Sequence, residues 1–129
     1  MISIGTDVVK ISRFKKLIDN NNEKFLYKIF TTKEIDYCKS YSNPYIHFSG
    51  KYAAKESIKK ALLSNKICKQ ISLSDIKVLN REDKSPYIFI DYLKHIKFNI
   101  SISHDGDYAI AFAIIEKWFL SLQKNKHIN

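Results

Sequence analysis

Apolar and polar residues alternate over positions 2–8, with Ile2, Ile4, Thr6 and Val8 on one side. That period of two predicts a strand. The spacing changes after Lys10. Ile11, Phe14, Leu17 and Ile18, then Phe25, Leu26 and Ile29, fit a helical stripe. This is one helix or two pieces broken at Asp19-Asn-Asn-Asn22. Thr31-Thr-Lys-Glu34 has the spacing of a capping box, which predicts a short helix through about Lys39. Ser42-Asn-Pro44 reads as a loop. From about Ser49 to Ser64 a longer helix follows, with Ala54, Ile58, Ala61 and Leu62 as its buried stripe. Ser74–Leu79 and Tyr87–Ile90 read as strands joined by a polar turn. Phe98–Ser103 and Tyr108–Ile115 read as another pair, and Asp105-Gly-Asp107 between them is a hairpin signal. The tail from Glu116 begins apolar, with Trp118 and Phe119, and ends polar. The pattern predicts one α+β domain over residues 1–129, a small antiparallel sheet packed with helices.

Composition narrows the classes. The chain has 129 residues, 45% of them hydrophobic, which is enough for one buried core. No stretch approaches the about 20 apolar residues of a membrane span, and no signal-peptide pattern opens the chain. These features predict a cytoplasmic protein. Cys38 and Cys68 are far apart, without metal-ligand spacing, and are expected to be reduced. The net charge of +9 points to an anionic partner. Lysines number 20 and arginines 2, Arg13 and Arg81, which argues against nucleic acid, where bidentate arginine contacts prevail. Codon bias is a second source of such a lysine excess.

Candidate chemistry lies at three places. Asp7 ends the first strand. Glu56 sits on the long helix among Lys51, Lys55, Lys59 and Lys60. His104 ends the strand before the Asp-Gly-Asp turn. Two carboxylates with nearby cations suit a magnesium–phosphate group. Equally, Glu56 and Lys60 are four residues apart and make an ordinary helix ion pair. Lys51, Lys55, Lys59 and Lys60 read as phosphate contacts or as a solvated face, and His104 as a hydrogen-bond donor to a phosphate, a proton shuttle or a plain loop histidine. On residues alone the readings stay open, a non-enzymatic basic binding module among them.

Three blocks occur together and in order: Ile4-Gly-Thr-Asp7-Val-Val-Lys-Ile-Ser-Arg13-Phe14, Phe48-Ser-Gly-Lys51-Tyr-Ala-Ala-Lys55-Glu56-Ser-Ile-Lys-Lys60-Ala-Leu62, and Ser101-Ile-Ser103-His104-Asp-Gly-Asp-Tyr108-Ala109. Phe30-Thr-Thr-Lys-Glu34 and Ser85-Pro86-Tyr87 add weaker matches. Together they resemble the holo-[acyl-carrier-protein] synthases, the short bacterial 4′-phosphopantetheinyl transferases. The resemblance implies transfer of phosphopantetheine from coenzyme A to a serine of apo acyl carrier protein, releasing adenosine 3′,5′-bisphosphate, in fatty acid biosynthesis. It implies Asp7 and Glu56 as ligands of Mg²⁺, with Mn²⁺ as an alternative, and Asp7, Glu56 and Lys60 as catalytic residues. Lys51, Lys55, Lys60 and His104 would bind coenzyme A. Arg13, Lys16 and Lys24 on a basic first helix would meet the acidic carrier. A homotrimer with active sites between subunits is implied, and residues from about 117 to 129 form an extension past the usual end. Lys51 stands where the family often has arginine, and Ser85 replaces the usual glycine before Pro86. A member that binds coenzyme A and carrier without transferring the group is the remaining alternative within the family.

Overall fold

Strand β1 (Ile2–Lys10) runs directly into helix α1 (Ile11–Ile29), so the strand's end and the helix's first turn share one corner. Helices α2 (Thr32–Lys39) and α3 (Pro44–Ser64) follow, then a 3₁₀ turn at Leu73–Asp75. Strands β2 (Lys77–Asn80), β3 (Pro86–Phe89), β4 (Ile96–Asp105) and β5 (Tyr108–Lys117) complete the order. This computed structural model describes residues 1–117. The tail, with Trp118 and Phe119, lies outside the described residues.

Helix α1 is continuous, so the Asp19–Asn22 run does not break it. Asn21 Nδ2 donates to the Leu17 carbonyl at 2.9 Å, four residues back. Buried Ile11, Phe14, Ile18, Leu26 and Ile29 keep one face across the polar run, and packing of that face outweighs local propensity. The capping box of α2 forms as expected. Glu34 N–H donates to Thr31 Oγ1 at 3.3 Å, and Thr31 N–H to Glu34 Oε1 at 2.8 Å. Helix α3 starts at Pro44, well before the predicted Ser49. Proline's fixed φ and missing N–H suit a first helical turn, so the supposed loop residue is the helix start.

The main sheet is antiparallel in the order β1-β5-β4, with β2 and β3 forming a separate hairpin. Gly106 has φ 56°, the left-handed conformation that glycine adopts without penalty, and it turns β4 into β5. Helix α3 lies across one sheet face. Strand β5 offers that face Ala109, Ala111 and Ala113, all essentially buried. Small residues bring the helix close, and Ala54, Ile58, Ala61 and Leu62 fill the contact at 0% exposure. The buried stripe is the expected one.

The sheet's other face is unusual. Ile2 (65% exposed), Ile4 (61%), Val8 (61%), Ile110 (47%) and Phe112 (44%) point away from α3. The apolar side of β1 is thus its outer side, while Ser3, Gly5, Asp7 and Val9 face inward.

Candidate active site

Gly5 explains how Asp7 reaches the helix. A β-carbon there would overlap the Ser57 carbonyl oxygen, so glycine lets β1 lie directly on α3. Two residues further, Asp7 meets the helix side chains. Lys60 Nζ lies 2.9 Å from Asp7 Oδ1 and 3.1 Å from the Thr6 carbonyl. Lys60 therefore turns to the strand rather than to Glu56. Among the described residues Glu56 has no ion pair, so the ordinary helix-pair reading does not hold in the structure.

Asp7, Glu56 and Lys60 line one cleft of about 460 Å³ together with Lys10, Arg13, Phe14 and Tyr52. Lys10, Arg13 and Lys60 share the cleft lining with the carboxylates of Asp7 and Glu56, so it offers groups for both a cation and an anion. The Tyr52 ring stacks on Phe14 with centroids 4.7 Å apart and planes at 27°. Burial first, then the neighbouring Glu56 carboxylate, push the Tyr52 phenol up to about 12. It stays protonated and able to donate. Lys16 and Lys24 are exposed on α1 but do not line the cleft.

Lys55 has a different place from the one expected. Its side chain is fully buried and donates to Glu34 Oε1 at 2.9 Å, the Leu73 carbonyl at 3.0 Å and the Ile76 carbonyl at 2.7 Å. An ammonium has three donors, and all are engaged. The expectation that Lys55 binds coenzyme A is therefore corrected: it ties α3 to α2 and to the chain before β2. Glu34 completes the knot by accepting from Val78 N–H at 2.8 Å. Burial pulls the Lys55 pKa down while Glu34 opposes it.

Lys51 and His104 lie apart from the carboxylates. Lys51 is buried, donates to the Val78 carbonyl and to Asn80 Oδ1, each at 2.6 Å, and sits 4.6 Å from the Tyr37 ring centroid. It borders a second cavity of about 320 Å³, with Tyr37, Tyr41, His47 and Ile102. The His47 ring stacks on Tyr41 at 3.8 Å and 22°. Exposed His104, two residues beyond Ile102 on β4, lies near enough for its charge to act on His47. Burial first, then His104 and Lys51, hold the His47 imidazole below its ordinary value. Tyr37, Tyr41, His47 and Tyr52 were not singled out from sequence. The i, i+4 pair Tyr37–Tyr41 was the available signal.

Two carboxylates lining one cleft suit a hard cation. Among the described residues no group of three or more His, Cys, Asp or Glu gathers into a fuller metal cage. Mg²⁺ binds in this manner, through one or two carboxylates, with waters and substrate phosphates completing its shell.

Residues 3–113 match the family described as the 4′-phosphopantetheinyl transferase superfamily. This chain belongs to that family. The holo-[acyl-carrier-protein] synthase of Thermodesulfovibrio yellowstonii is 42% identical over 112 residues, 87% of this chain and 96% of that protein. That of Chlamydia felis is 40% identical over 119 residues, 88% of this chain and 96% of that one. Among solved structures, the Helicobacter pylori holo-[acyl-carrier-protein] synthase in complex with coenzyme A has a TM-score of 0.77 at 33% identity, covering 88% of this chain and 99% of that one. The Bacillus anthracis holo-(acyl-carrier-protein) synthase, in complex with CoA (3′,5′-ADP), gives 0.77 at 29% identity over 90% of this chain and 96% of that one. The match to this transferase family spans β1 through most of β5, so it takes in the whole two-carboxylate cleft.

Proposed function

We propose that this transferase moves the 4′-phosphopantetheine group from coenzyme A to a serine of apo acyl carrier protein, yielding holo carrier and adenosine 3′,5′-bisphosphate. One observation carries the reading: Asp7 from the first family block and Glu56 and Lys60 from the second line a single cleft. Residues 1–129 form one transferase domain in this reading.

In the reaction the carrier serine Oγ bonds to the phosphorus bearing pantetheine. The bond from that phosphorus to the adenosine-side phosphate oxygen breaks. The serine proton passes to a cleft carboxylate, directly or through water. Asp7 and Glu56 would hold Mg²⁺, or Mn²⁺ in its place, which when bound supplies Lewis-acid stabilisation of the pyrophosphate charge. Lys60, 55% exposed at its side chain, keeps donor capacity for the same phosphates. Lys51, which lines the second cavity, and His104 would serve the nucleotide end of coenzyme A in this reading. Arg13 on the cleft rim, with Lys16 and Lys24 further along α1, presents positive charge to an acidic carrier and would mainly speed and steer encounter.

Self-association belongs to the same reading. The outward apolar face of β1 and β5 is what a subunit contact would cover, and a homotrimer with sites between subunits brings the two cavities into use across copies. Among the described residues no helix is long and apolar enough to cross a membrane. Cys38 and Cys68 are free thiols, as a reducing cytoplasm keeps them.

Purified protein incubated with coenzyme A, Mg²⁺ and apo carrier should add a phosphopantetheine mass to the carrier, and Glu56→Gln should nearly abolish that addition. No mass shift with a carrier that a proven transferase modifies overturns the reading. Salt-sensitive RNA binding indifferent to Glu56→Gln would instead support a nucleic-acid module.

A further inference from the structure

Glu56 poses a problem of orientation. A carboxylate that ligates a cation needs its rotamer fixed, and outer-shell hydrogen bonds usually do this. Lys60 does not, because it is drawn to Asp7 and the Thr6 carbonyl. Arg13 and Lys10 border the cleft, yet neither forms an ion pair with Glu56 among the described residues. Tyr52 lies one turn before Glu56 on α3, on the same side of the helix. Its ring is held between helices by stacking on Phe14, itself packed edge-on against Phe25 at 5.7 Å and Phe30 at 6.4 Å. Tyr52 and Glu56 thus line the same cleft one helical turn apart, the phenol carried on an anchored ring. A side chain needed only to cover Phe14 could be phenylalanine. The hydroxyl adds the one neutral hydroxyl donor among the cleft-lining side chains.

We infer that Tyr52 is a positioning residue for Glu56, its hydroxyl holding the carboxylate in the orientation that faces the cation. This rests on the assignment of Asp7 and Glu56 as metal ligands. The hydroxyl does not touch the reacting phosphorus. It acts through Glu56, so its loss should weaken the cation before it slows the chemistry.

The test is Mn²⁺ titration of the full chain followed by electron paramagnetic resonance, without coenzyme A or carrier. Wild type, Tyr52→Phe and Glu56→Gln are compared. Tyr52→Phe keeps the stacked ring, and a thermal melt within about 2 °C of wild type checks that the fold is intact. The expected result is about 10-fold weaker Mn²⁺ binding in Tyr52→Phe. In turnover assays the same variant should need more Mg²⁺ for half-maximal rate and recover kcat at saturating metal. Tyr52→Phe binding Mn²⁺ like wild type, while Glu56→Gln loses it, overturns the role of Tyr52. Glu56→Gln binding like wild type overturns the metal-site assignment and the inference with it.

Discussion

Lys55 Nζ lies 2.9 Å from Glu34 Oε1, with both side chains at 0% exposure. Two charges removed from water persist only where their remaining hydrogen bonds are met. Here they are, by Leu73, Ile76, Thr31 and Val78. Deleting one partner strands the other charge, which costs about 3–5 kcal/mol. Glu34→Ala should lower stability by about that amount, read from urea unfolding. Lys55→Met added to Glu34→Ala should restore much of the loss, since no unpaired charge remains. A Glu34→Ala variant as stable as wild type would refute this account of the pair.

Gly5 sets how closely β1 lies on α3. The obstacle to a side chain is the Ser57 carbonyl, which is backbone inside a helix and has no rotamer to yield. Gly5→Ala must push the strand away and carry Asp7 with it. A loss of about 3 kcal/mol is expected, together with a fall in turnover larger than the folded fraction explains. Unfolding curves and rates on the same samples separate the two effects. Full activity in a stable Gly5→Ala protein would show that the strand has slack.

The parts readable from sequence and the parts hidden differ in range. Caps, turns and periodicity are local, so the Thr31–Glu34 box, the Asp-Gly-Asp hairpin and the α3 stripe were all legible. Asp7, Glu56 and Lys60 were singled out as candidates by their motifs. Their meeting in one cleft depends on β1 packing against α3, a contact over about fifty residues of chain. Lys55 was misread because a lysine in a lysine-rich helix looks solvated. Only the approach of Glu34 and of the chain around Leu73–Ile76 reveals a buried position. The start of α3 was missed because Ser-Asn-Pro serves a turn and a helix N-terminus equally well.

Arg13 should matter through charge. It borders the cleft on the first turns of α1. Arg13→Ala should raise KM for the carrier by about 5-fold, roughly 1 kcal/mol, with little change in kcat. The difference should shrink at high salt, where surface charges are screened within a few ångströms. Steady-state kinetics at two ionic strengths decide it. An equal loss of kcat at both would move Arg13 from docking into the chemistry.

The outward apolar sheet face should be an interface. Ile110 stands opposite Val8 on that face, and both are largely exposed in the single chain. Ile110→Glu should leave the isolated fold intact, because the site is solvent-facing. In an assembly it buries an unpaired charge, which is costly. Sedimentation equilibrium should therefore show wild type as a trimer and the variant as a smaller species. Activity should fall with it, since the sites proposed to lie between subunits would be lost. A monomeric, active wild type removes the interface.

His47 supplies a pH signature. Stacked on Tyr41 and facing His104 and Lys51, it titrates below the ordinary imidazole value of about 6.5. As pH falls through that value, the unfolded chain takes up the proton before the folded protein does. Stability associated with neutral His47 is thus complete above about pH 6.5 and is lost progressively as pH falls toward the lower, folded pKa. His47→Phe keeps the aromatic stack and removes the titration. Urea midpoints at pH 7.5 and 5.5 should drop further for wild type than for His47→Phe. The other histidines are the same in both proteins, so the difference isolates His47. Equal drops in the two proteins would mean that His47 accepts its proton as readily folded as unfolded, contrary to its half-buried position near Lys51 and His104.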